Sequence, residues 1–144
     1  MPPNAVDDPI DQIFQPNEGL FRRLKVEAII GDQLDPNKIE IPAYSVLRQT
    51  RLPLDYVERL APDVGIAKTE PRQLPEPVTS PDGGVWTLLP IHCPENGELA
   101  HSELRLHKDG IYKSNQKPGN EQKKRWRNLI AAAFVIIRLP RSIE

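Results

Sequence analysis

VWTLLPIHCPENGELAHSELRLHKDGIYK, residues 85–113, is the stretch whose reading decides the fold. Val85 to Cys93 is rich in β-branched and aromatic residues and reads as the strongest strand of the chain. Pro90 inside it lacks a backbone N–H, which confines this strand to a sheet edge or a bulge. Pro94 to Gly97 turns the chain. His101 to His107 alternates polar and apolar positions, the period of a half-buried strand. Lys108-Asp109-Gly110 then gives a hairpin signal leading into a further strand at 111–114.

Toward the C-terminus the period lengthens. A helix is expected from Asn120 to Arg138, with Asn120 as its cap, Glu121 in the first turn and Pro140 just past the end. Trp126, Ile130, Ala133 and Ile137 form a line facing the core. Leu129 to Ile137 is apolar all round, so the last turns should be covered on several sides.

Toward the N-terminus, Leu24 to Ile30 alternates and favours a strand, although the same residues tolerate a helical pattern. Asp35-Pro36-Asn37 punctuates a turn, and Ile39 and Ile41 suggest a second strand over 39–42. Tyr44 to Arg51 fits neither period. Pro53 to Ala61 reads as a helix with Leu54, Val57 and Leu60 aligned. A short strand at 64–68 and a proline-rich loop at 69–84 follow. The expected architecture is α+β: one domain over 20–144, with an antiparallel sheet of about five strands covered on one face by a long C-terminal helix. Residues 1–19 form an extended arm. Asp8 and Pro9 can start a short helix there, which sets Ile10, Ile13 and Phe14 on one face. Arm and proline loop are expected to project from the body.

Composition bounds the rest. A chain of 144 residues fits one domain with a self-sufficient core. Its one cysteine, Cys93, cannot form an intramolecular disulfide. The longest apolar run spans nine residues, against roughly 20 for a membrane helix. No signal peptide is legible in the acidic, proline-broken N-terminus. A soluble cytoplasmic protein with no membrane partner is expected. Charge is divided unevenly: residues 1–100 hold nine basic and sixteen acidic side chains, and residues 101–144 hold ten basic and four acidic. Such asymmetry points to partners.

Three constellations are candidates for function. The apolar arm residues Ile10, Ile13 and Phe14 would dock on a partner protein. Lys123, Lys124, Arg125, Trp126 and Arg127 form a basic run in which the cations could meet phosphates and the indole a base. His101, Glu103 and His107 would share a strand face as metal ligands, although Arg105 sits among them and no dedicated zinc spacing is matched. Cys93 lacks the arginine six residues on that a cysteine phosphatase needs, since Leu99 stands there. No Ser-His-Asp arrangement, phosphate-cradling loop or dinucleotide fingerprint is legible, so no cofactor is expected.

The reading that best fits is a non-catalytic protein–protein interaction module, a subunit of a larger assembly that uses its arm and charge-complementary surfaces, self-association included. The alternatives are a nucleic-acid-binding protein using the basic run and, second, a metal-dependent hydrolase.

Overall fold

A computed structural model describes residues 13–141. The 85–113 stretch forms two long neighbouring strands, β7 (Val85–His92) and β8 (His101–Lys108), paired over seven consecutive residue pairs. Before them come β1 (Leu20–Leu24), β2 (Ile29–Ile30), β3 (Gln33–Leu34), β4 (Ala43–Arg48), β5 (Gly65–Thr69) and β6 (Val78–Thr79). Helix α1 (Asn120–Ala133) and strand β9 (Val135–Arg138) complete the order. One seven-stranded antiparallel sheet runs β6-β7-β8-β4-β1-β5-β9, and β2 pairs with β3 apart from it. The architecture is thus α+β with one C-terminal helix, but with seven strands rather than about five.

The legible parts follow from local chemistry. Pro90 lies beyond the two positions where β6 pairs with β7, so it faces the free edge of β7. Asp109 and Gly110 both have positive φ, 50° and 81°, as a two-residue hairpin turn requires, and Lys108 bridges to Ile111 across it. The expected strand at 111–114 goes no further than that bridge. Asp35 Oδ1 accepts a hydrogen bond from the Asn37 N–H at 2.9 Å, with Pro36 opening a short 3-10 turn.

Several expectations are corrected. The strand expected at 24–30 ends at Leu24, and Val26 and Ile30 lie exposed because the chain leaves the sheet in a 3-10 turn. Ile39 and Ile41 are buried, but as loop residues that pack into the core rather than as a strand. The ambiguous 44–51 segment is mostly β4. Residues 53–61 form successive turns with mixed i+3 and i+4 hydrogen bonds, and Leu54 is fully exposed. Helix α1 starts after Gly119 and stops at Ala133, because the β-branched run that follows pairs with β5 instead. The proline-rich segment does not simply project: Val78 is buried and Leu74 packs against the core.

Burial divides the sheet into two faces. On one, Trp126 and Ile130 of α1 cover Leu20, Val46, Trp86, Leu88, Leu104 and their neighbours. Each large side chain so buried contributes roughly 1.5–3 kcal/mol. On the other, only one end is covered: Leu52, Tyr56, Val57 and Leu60 pack on Phe21, Leu47, Ile66 and Ala100. Farther along that face His101, Glu103, Arg105 and His107 are half-buried, with Tyr112 against Arg105 and His107.

Candidate functional site at a split in the sheet

The seams of the sheet are unequal. β4 pairs with β8 over five residues, and β1 with β5 over five. Between β1 and β4, in the middle of the sheet, only Leu20–Arg48 and Phe21–Leu47 are paired. The next partners in register, Arg22–Val46 and Arg23–Ser45, are not. Gln49 donates its N–H to the Gly19 carbonyl at 2.9 Å, and the antiparallel alternation therefore aims the backbone groups of Arg23 and Ser45 into this gap.

The side chain of Arg22 fills part of it. Its Nη1 donates to the Ser45 carbonyl at 2.9 Å, its guanidinium lies 4.3 Å from the centre of the Tyr44 ring, and Glu40 stands 3.6 Å away. Burial pushes the Tyr44 phenol above its ordinary value, with Arg22 opposing, so the hydroxyl stays protonated at neutral pH. A cavity opens on each side of the gap. One, of about 250 Å³, is walled by Phe21, Arg23, Ser45, Leu47 and His101. The other, of about 280 Å³, is walled by Arg23, Lys25, Leu34, Lys38 and Tyr44, with Glu27 and Asp35 at its lining.

His101 Nδ1 lies 2.9 Å from the Cys93 carbonyl, which can only accept, so this nitrogen carries the hydrogen. Nε2 is left as the acceptor for the Ser45 hydroxyl at 3.3 Å, with Glu95 at 3.8 Å. Ser45 and His101 are 56 residues apart, and no sequence spacing announces the pair. Burial, with Glu103 second, pushes the Cys93 thiol up to about 11, so it is no thiolate nucleophile at neutral pH.

The residues expected to act are distributed otherwise. His101, Glu103 and His107 share one face with Arg105, as the alternation required, but six steps along the strand separate the two imidazoles by roughly 20 Å. Arg105 pairs with Glu103 at 2.8 Å and its guanidinium lies over Tyr112, which stacks near His107. Among the described residues no three His, Cys, Asp or Glu side chains converge as metal ligands. Trp126 is 0% exposed and belongs to the core, so it cannot stack on a base. Arg127 Nε donates to the Ile39 carbonyl at 3.1 Å. Lys124 and Arg125 are exposed and Lys123 half-buried, and none of the three has an ion pair among the described residues.

Ile10 lies outside the described residues. Ile13 is 61% exposed, while its carbonyl accepts from Arg48 Nη2 at 3.1 Å. Phe14 is half-buried against its own core with the Arg48 guanidinium 4.1 Å from its ring centre. Behind it Glu18 and Arg48 form a buried two-pronged ion pair at 2.8 and 3.0 Å. Nearby His92 is buried with no partner for Nε2, and desolvation, then the charges of Arg48 and Arg51, hold its pKa below the ordinary value.

Comparison with protein-family models, curated proteins and solved structures found no match to this chain. No helix among the described residues is long and apolar enough to cross a membrane.

Proposed function

We propose that the chain is a non-catalytic protein–protein interaction module, a subunit that joins others through the edge of its sheet. The observation that carries this reading is β9. It is the last strand of the sheet, and Val135, Ile137 and the following Leu139 are 62%, 48% and 59% exposed. Ile137 also lines a hollow of about 340 Å³ with Leu52, Leu54, Tyr56 and Val57. A strand edge with no partner strand among the described residues, beside exposed apolar side chains, favours addition of a strand from another chain. A bulge between Ala67 and Ile66, opposite Ile136 to Arg138, limits that pairing to a short segment.

A photo-crosslinking residue at Val135, compared with one at Glu76 in the proline-rich segment, tests the reading in cells producing the protein. Discrete cross-linked species from position 135 alone, lost when Ile137→Lys is added, are expected. Equal cross-linking from both positions, or none from 135, would overturn it. Sedimentation of the purified chain separates self-association from contact with a different subunit.

A second reading, contact with nucleic acid along the outer side of α1, is favoured by Lys123, Lys124 and Arg125, which have no ion pair among the described residues. Trp126 takes no part in it. A labelled oligonucleotide titrated at two salt concentrations tests it, and absence of binding at low salt removes it.

A further inference from the structure

We propose that the gap between β1 and β4 binds a small phosphate-type anion, held by Arg23, Lys25 and Lys38. The site stands apart from the β9 edge and does not depend on it. Three observations converge on it. The strands part after two residue pairs, so the backbone N–H groups of Arg23 and Ser45 are aimed into an opening rather than spent on a full ladder, while the Ser45 carbonyl accepts from Arg22. Arg23, Lys25 and Lys38 wall one cavity and are all exposed, and none has an ion pair or side-chain hydrogen bond among the described residues. The fourth cation at that cavity, Arg22, is already committed to the Ser45 carbonyl, Tyr44 and Glu40. It braces the opening from one side.

The acids nearby cancel this charge only in part. Asp35 accepts from the Asn37 N–H as the cap of its turn, and Glu40 is turned to Arg22. Glu27 and Asp35 are the two opposing carboxylates at the lining with no ion pair among the described residues, against the three cations Arg23, Lys25 and Lys38, so one positive charge is left over. By contrast, the larger hollow at the start of α1, about 400 Å³, holds Lys108 with Asp82 against it at 2.7 Å. Its charge is answered within the chain. Size narrows the ligand class. Cavities of 280 and 250 Å³ fall below the roughly 300–1,000 Å³ of sites for drug-sized ligands. They suit inorganic phosphate or pyrophosphate, whose oxygens match guanidinium and ammonium donors.

The test uses the full chain in phosphate-free, low-salt buffer, titrated calorimetrically with inorganic phosphate, with pyrophosphate and with a single-stranded oligonucleotide. Saturable pyrophosphate binding is expected, weakened at least about tenfold by the Arg23→Gln, Lys38→Gln double variant, since each lost charged hydrogen bond is of that order. Both positions are exposed, so an unchanged melting temperature accompanies the loss. The Lys124→Gln, Arg125→Gln variant should bind as the parent does. In amide spectra, pyrophosphate should move the Arg23 and Ser45 signals. No binding at millimolar concentration, equal weakening in both variants, or unmoved amides would each overturn the site. Tighter binding of the oligonucleotide, lost through Lys124 and Arg125, would replace it with the nucleic-acid reading.

Discussion

The two ends of the described chain reverse what their sequences lead one to expect. Residues 13–18 carry one proline, one acid, two polar amides and two apolar side chains, the composition of a free arm. They are nonetheless stitched down by Arg48, which holds the Ile13 carbonyl, the Phe14 ring and the Glu18 carboxylate at once. Residues 134–139 are almost wholly apolar, the composition of a buried helix end. There Phe134 is buried, yet Val135, Ile137 and Leu139 lie open at the last strand of the sheet. Apolar content alone does not decide which end is tethered. One arginine with several partners outweighs a run of aliphatic residues that has only one neighbouring strand.

Mutations can break this contrast, and the largest effect belongs to the N-terminal side. Glu18→Ala leaves the Arg48 charge buried without its carboxylate, and about 3–5 kcal/mol of stability should be lost. Denaturant unfolding checks this; a loss under about 1 kcal/mol, the range of an exposed ion pair, would show that the segment is not tethered by the pair. On the C-terminal side, neighbouring positions should differ. Ile136 packs against the core, so Ile136→Asp should cost about 2 kcal/mol.

Acid provides a smaller, graded effect. His92 has its folded pKa depressed below the ordinary 6.5, so the unfolded chain binds the proton more readily. The stability tied to this group is whole above about pH 6.5 and is lost as the pH falls below it, at no more than about 1.4 kcal/mol per pH unit. His92→Gln should remove that part of the pH dependence, read as a flatter plot of melting temperature between neutral and mildly acidic buffer. An unchanged slope would show that His92 is not the group. The smallest effect is expected at Ile137→Asp, within about 0.5 kcal/mol of the parent, as for an exposed site. A collapse of stability there would mean that the edge is covered.

What the sequence makes legible is what neighbours along the chain decide. β7 and β8 follow from alternation, Pro90 from its missing N–H, and the Asp109-Gly110 turn from its need for positive φ. The candidate site depends on contacts between distant segments. Leu20 to Leu24 could have been recognised as a strand, but nothing in it reports that only its first two residues would meet β4. Ser45 and His101 come together only because β4 lies against β8. Trp126 illustrates the opposite difficulty: its basic neighbours suggest a ligand, its place in line with Ile130 suggests the core, and its burial among core side chains decides for the second. Likewise, the helix pattern ran through Val135–Arg138 because a single period cannot reveal that β5 offers this segment a ladder.

The short seam between β1 and β4 also has a mechanical consequence. It leaves one leaf of four strands, β6 to β4, and another of three, β1, β5 and β9, joined at a spine two residue pairs long. Bending the leaves against each other about Phe21 and Leu47 disturbs fewer backbone bonds than bending along the β7–β8, β8–β4 or β1–β5 seam. Breathing of the molecule should therefore concentrate there, and anything lodged across the spine would act as a clasp on both leaves.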